Sequence, residues 1–229
     1  MWTVRVGKEE TRAVYEAALG EVARGVYVLA HGAGGNMETK GLVREAKILR
    51  GLGWGVVRFN FLYRERGRAY PDKMPVLMEC YRAVVESVEA EILGKARDAS
   101  GRPRVWIGGH SMGGRVATML AAEGFACDGL ILFSYPLHPP GKFEQLRAEH
   151  LPKIRVPVLC FSGTRDDFMR RDLMEGVMKT LPATWTQHWV EGADHSLAVK
   201  KASGRTNAEV EEEIAGAVRE WMGRSGFEI

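Results

Sequence analysis

The sequence has no apolar run approaching the roughly 18 residues that a membrane-spanning helix requires, which excludes an integral helical membrane protein. Its first ten residues, Met1 to Glu10, lack the apolar stretch of a secretory signal, so a cytoplasmic protein is expected. Cysteine is scarce. Cys80, Cys127 and Cys160 are odd in number and far apart, which excludes a disulfide scaffold and offers no zinc-ligand spacing. A reducing compartment suits such a chain, and no metal and no cofactor are expected. Charge of one sign is also lacking. The 32 basic and 29 acidic side chains leave a net charge of +3, and a nucleic-acid footprint would need a clustered basic face. Repeats, low-complexity stretches and linkers are absent as well, so residues 1–229 read as one domain.

What the chain does have is a regular alternation. Apolar runs at Val26–Ala30, Gly55–Phe61, Arg104–Gly108, Gly129–Ser134, Val156–Ser162 and Thr184–Val190 read as buried strands. Tyr15–Leu19 is a further candidate, more antiparallel in character. Helical spacing fills the intervals. Leu42, Ala46 and Leu49 recur within Glu38–Leu52, and Leu77, Tyr81, Val84, Val88 and Ile92 within Pro75–Ile92, with Asp72 as its cap. A short helix over Ser111–Glu123 stops at Gly124, and a last one opens on the capping box Thr206-Asn207-Ala208-Glu209. This pattern predicts an α/β fold, a mainly parallel central sheet flanked by helices on both faces. The stretch between Ser134 and Val156 contains four prolines. It has room for a short helix over Phe143–His150 but not for a cap domain.

Gly109-His110-Ser111-Met112-Gly113 matches G-x-S-x-G. Alone the pattern is weak in a chain with 27 glycines, but here it follows an apolar strand and opens a helix. That context places Ser111 on a sharp turn as a nucleophile, with the Met112 amide at a helix N-terminus as an oxyanion donor. His31-Gly32-Ala33-Gly34-Gly35 follows an earlier strand. It lacks the G-x-G-x-x-G spacing, and no Lys-Ser/Thr follows, so a second oxyanion donor from the Ala33 amide is the better reading. His31 is read as holding that loop.

An acid and a base are expected at the same sheet edge. Asp166 lies just past a strand end and is the first choice, with Asp167 as competitor or helix cap. Among the histidines, His188 lies within a strand, His138 and His150 in the proline-rich stretch, and His110 beside the nucleophile. His195 follows the last strand, and the order Ser111, Asp166, His195 is that of α/β-hydrolases. Asp128 precedes its strand and so lies at the opposite edge. Asp194 is read as tying down its own loop.

These residues carry a resemblance. His31–Gly35, Gly109–Gly114, Ser162–Asp166 and Gly192–Ser196 resemble the landmarks of small, lid-poor, dienelactone-hydrolase-like α/β-hydrolases over roughly Val26 to Trp221. The resemblance implies a Ser111–His195–Asp166 triad, a two-amide oxyanion hole and hydrolysis of a small-molecule ester or related acyl bond. Dienelactone hydrolases typically use cysteine where this chain has Ser111, which favours serine-esterase chemistry. A non-catalytic interaction scaffold is the rival reading, since fold alone does not give function. A nucleotide-binding use of the His31–Gly35 loop is the third. Arg64, Arg66 and Arg68, and Arg165, Arg170 and Arg171, are candidates for contacting an anionic substrate, against the plainer reading of a solvated surface.

Overall fold

Parallel strands covered on both faces must be apolar throughout, and this requirement sets the centre of the fold. The computed structural model describes residues 1–19, 24–92 and 104–224. Its strands are β1 (Trp2–Val6), β2 (Glu9–Glu16), β3 (Gly25–Ala30), β4 (Trp54–Phe59), β5 (Val105–His110), β6 (Gly129–Phe133), β7 (Val158–Gly163) and β8 (Trp185–Val190). The helices are α1 (Lys40–Gly51), α2 (Leu62–Glu65), α3 (Met74–Glu91), α4 (Met112–Ala122), α5 (Arg171–Met178) and α6 (Asn207–Arg224). One eight-stranded sheet runs β1-β2-β4-β3-β5-β6-β7-β8. The first two pairings, β1 with β2 and β2 with β4, are antiparallel. All later ones are parallel. The mainly parallel sheet expected from the sequence is therefore present.

Alternate residues of the central strands feed two cores. On β3, Val26, Val28 and Ala30 face a core shared with α3 and α4, including Tyr81, Val84, Val116 and Leu120. Tyr27 and Leu29 face the other, built on Leu42 and Leu49 of α1 and Val210, Ile214 and Val218 of α6. In that second core Trp106 meets Trp54 and Trp221 edge-on, each at 5.7 Å. Edge-to-face packing suits the charge distribution of aromatic rings and adds to the burial of their large area.

Several local expectations need correction. The candidate front strand Tyr15–Leu19 is mostly loop. Its first two residues end β2, and Leu19 is half exposed. The hairpin β1–β2 has polar and charged residues on one face, such as Arg5, Arg12 and Glu10, which hid it from a search for apolar runs. Asp72 does not cap α3. Lys73 holds that position without a side-chain bond, and the Asp72 carboxylate binds Arg66 and Arg68 instead. Phe143–His150 forms no helix. It is irregular, and one 3₁₀ turn follows at Leu151–Lys153. The capping box at α6 is formed, with the Glu209 N–H on Thr206 Oγ1 at 3.2 Å and the Thr206 N–H on Glu209 Oε2 at 2.7 Å. Gly124, at φ +84°, closes α4 as expected.

One side chain joins α3 to the middle of the sheet. The fully buried Tyr81 hydroxyl lies 2.6 Å from the carbonyls of both Val28 and Gly108 and accepts the Gly108 N–H at 2.8 Å. A buried N–H left without an acceptor costs about 1–3 kcal/mol. Tyr81→Phe is expected to lower unfolding stability by that amount, read as a shifted urea midpoint at unchanged slope.

Candidate active site

The carboxyl ends of the parallel strands share one edge, where open α/β sheets bind ligands. Ser111 follows β5 there in a left-handed conformation, φ 51° and ψ −115°, which costs a non-glycine residue on the order of 1–3 kcal/mol. Two constraints hold it. The Ser111 N–H donates to the Phe133 carbonyl of the neighbouring strand at 2.8 Å. Gly109 and Gly113 let the turn press against β3, since a Cβ on either would lie 2.3 or 2.4 Å from the Ala30 carbonyl oxygen.

Asp166 and His195 come from the loops after β7 and β8, and backbone bonds lock these loops to each other. The Arg165 N–H donates to the Ala193 carbonyl at 2.9 Å, the Thr164 N–H to Val190 at 3.1 Å, and the Gly192 N–H to Thr164 Oγ1 at 2.8 Å. Asp194 ties its own turn, accepting the Ser196 N–H at 2.8 Å and the Ala198 N–H at 3.2 Å. The result is a continuous line. His195 Nε2 lies 2.9 Å from Ser111 Oγ, and His195 Nδ1 lies 2.9 and 2.8 Å from the two Asp166 carboxylate oxygens. The Asp166 side chain is fully buried and also accepts the Phe168 N–H at 2.8 Å. These bonds define the tautomer, with Nδ1 as donor and Nε2 as acceptor. The Phe168 ring stacks on the imidazole at 4.2 Å. Asp167 is exposed and takes no part. A hydroxyl hydrogen-bonded to an oriented imidazole is set to lose its proton as it attacks an electrophile.

The His31–Gly35 loop faces this line. The Gly32 carbonyl is held from one side by the Gly35 N–H at 3.0 Å and by His31 Nδ1 at 2.8 Å. The peptide is planar, so fixing that carbonyl also fixes the Ala33 N–H on the opposite side of the same plane. Neither the Ala33 N–H nor the Met112 N–H, at the start of α4, donates to another described residue. Both residues line a cavity of about 630 Å³ together with Ser111, His195, Phe168 and Met74. That volume fits a small-molecule ligand.

His31 is wholly buried, and its Nε2 accepts the Phe61 N–H at 3.1 Å, so it holds the loop. The other histidines are bound elsewhere. His188 meets Glu213, His138 Nε2 accepts the Arg170 N–H, and His150 meets Thr118. Asp128 accepts the Val105 N–H at the far end of β5. The residue that sequence reasoning missed is Glu45. Its carboxylate is fully buried on α1, 2.8 Å from His110 Nδ1. Burial opposes charge on the His110 ring, but the Glu45 carboxylate outweighs it and raises the pKa above 6.5. The His110 and His195 rings meet edge-on at 5.5 Å. The available signal was a carboxylate among the apolar positions Leu42, Ala46 and Leu49.

Among the described residues no group of three or more His, Cys, Asp or Glu side chains is placed to hold a metal ion, and no helix is long and apolar enough to cross a membrane.

Burial lowers the His31 pKa from 6.5 to about 4. The unfolded chain therefore binds this proton more readily, and the stability contributed at neutral pH is lost as pH falls from 6.5 to 4. A shift of that size corresponds to about 3 kcal/mol. Urea titrations of His31→Gln are expected to show a shallower loss of stability over this range than wild type.

Among solved structures, the chain is similar to an alpha-beta serine hydrolase homologue from Coxiella burnetii, at 20% identity and a TM-score of 0.74, covering 94% of this chain and 95% of that one. It is similar to a serine hydrolase without a lid from Xanthomonas campestris, at 21% identity and a TM-score of 0.72, covering 96% and 93%. A dienelactone hydrolase from Anabaena variabilis matches at 18% identity and a TM-score of 0.71, covering 97% and 95%. At such identities these neighbours share the fold. The sequence itself settles the family: residues 23–223 match the alpha/beta hydrolase domain, and the chain belongs to that family.

Proposed function

We propose that this protein is a serine hydrolase that cleaves a carboxylic ester or related acyl bond through an acyl-enzyme. The observation that carries this reading is the unbroken line from Ser111 Oγ through His195 to Asp166, with 2.9 and 2.8 Å contacts, opening on a cavity. His195 Nε2 takes the Ser111 proton as Oγ attacks the carbonyl carbon. Asp166 keeps the imidazole in the acceptor tautomer and stabilises its charged form. The developing oxyanion is met by the amides of Ala33 and Met112, each such donor commonly contributing about 3 kcal/mol to the transition state. The tetrahedral intermediate collapses, and His195 returns the proton to the leaving group. Water then attacks the acyl-enzyme by the same route, releasing the acid and restoring Ser111.

Turnover of p-nitrophenyl acetate and labelling by a fluorophosphonate probe are expected in wild type and absent in Ser111→Ala. Folded wild-type protein that neither labels nor turns over would favour a non-catalytic scaffold. Asp166→Asn removes the acceptor that sets the His195 tautomer. It is expected to lower kcat by about 10⁴-fold, as the same change does in other triads, while circular dichroism stays native.

A further inference from the structure

The arginines singled out in the sequence are occupied elsewhere. Arg66 binds Glu9 and Asp72, Arg68 binds Asp72, Arg170 binds Asp172 and Arg171 binds Glu175. Arg64 and Arg165 reach backbone carbonyls, those of Arg68 and Gly192. None of these six lines the cavity at Ser111.

Two other arginines do. Arg115 lies one helical turn beyond Ser111 on α4, its N–H donating to the Ser111 carbonyl at 3.1 Å, so it projects from the nucleophile's side of that helix. Arg147 comes from the irregular stretch after β6. Its backbone is pinned there, with the N–H on the Leu137 carbonyl at 2.7 Å and the carbonyl accepting the Tyr135 hydroxyl at 2.6 Å. Among the described residues neither guanidinium has an ion pair, a hydrogen bond or an aromatic ring beneath it. The Arg115 Nε is buried with no partner at all.

The carboxylate that lines the same cavity, Asp72, is held by Arg66 and Arg68. Burial, followed by the positive charge of Arg115, lowers the Arg147 pKa, with Tyr135 opposing. His150 is pushed down to about 4 by burial, then by Arg115 and Lys153. Half-buried guanidinium groups that meet no counter-charge among the described residues carry a desolvation penalty, and an anion in the cavity offsets it. The planar, forked guanidinium fits carboxylate and phosphate oxygens in a bidentate manner.

We propose that Arg115 and Arg147 form an anion subsite beside Ser111, so that the substrate carries a carboxylate or phosphate group next to its scissile acyl bond. This assignment rests on the serine hydrolase reading for its chemistry, but not for its binding.

The test compares mono-p-nitrophenyl glutarate with its neutral methyl ester. Wild type is expected to prefer the charged ester at least tenfold in kcat/KM. That ratio is expected to fall at least tenfold in Arg147→Gln and in Arg115→Gln, and to persist in Arg170→Gln, a control that removes a paired surface arginine. Glutarate and inorganic phosphate, used as competitive inhibitors of neutral-ester turnover, identify the anion by whichever binds more tightly. A ratio near one in wild type, or one unaltered in both cavity variants while their melting curves stay native, would overturn the subsite. Without Ser111-dependent turnover of either ester the hydrolase reading fails, and binding decides the subsite separately. A rise in melting temperature of Ser111→Ala with phosphate or glutarate, lost on adding Arg147→Gln, supports it. No rise with either anion overturns it.

Discussion

The site depends on one close approach: the turn between β5 and α4 lies directly against the backbone of β3. Only glycine fits at 109 and 113, because the Ala30 carbonyl occupies the space a Cβ would take. This contact keeps Ser111 in its strained conformation and starts α4 there, placing the Met112 N–H beside the hydroxyl. It also brings β3 alongside, so the His31–Gly35 loop after that strand lines the same cavity as Ser111 and Met112. Ser111 and the two glycine-bearing turns beside it thus share one steric origin, and the sheet meets the cost of the strain through many buried apolar residues.

The rest of the site is built by coupling loops to one another. The segments that follow β7 and β8 are joined by two backbone hydrogen bonds and a third from the Gly192 N–H to the Thr164 hydroxyl, which holds Asp166 and His195 in one frame. Arg44 of α1 also reaches the Ser196 carbonyl at 2.6 Å, tying the base loop to the helix layer on one face of the sheet. His31 joins the His31–Gly35 loop to the start of the segment after β4. Glu45 holds His110 by a 2.8 Å contact at Nδ1, and the His110 ring meets His195 edge-on. Fixed dipoles and hydrogen-bond donors of this kind need no rearrangement when charge develops.

Much of this was legible in the residues, for physical reasons. Buried parallel strands are continuous apolar runs, so β3 to β7 stood out, and G-x-S-x-G is informative because its glycines answer a steric demand. Chain order then placed Asp166 and His195 at the strand ends that the structure brings together. Amphipathic edges were harder. The β1–β2 hairpin alternates charged with apolar residues over short strands, and α2 is a single turn, so neither rises above local noise. Charge was the least legible property. Clustered arginines such as Arg66 and Arg68 attract carboxylates, and Asp72, assigned as a cap, was claimed by them. The isolated Arg115 and Arg147 found none. Spacing along a chain says little about which ions meet, because that depends on residues far apart in sequence.

The hydrogen bond from Ser111 to His195 spans 84 residues, and the helix that follows the base still has to close the sheet. Trp221 of α6 packs on Trp106, in the strand that leads into the nucleophile. During synthesis, therefore, Ser111 leaves the ribosome long before its hydrogen-bond partner His195 exists. A growing chain carries Ser111 without that partner, and the pair can form only after the loop that follows β8 has been made. The arrangement around Ser111 is thus a late product of synthesis, completed by the loops after β7 and β8 rather than by the strand that leads into the serine.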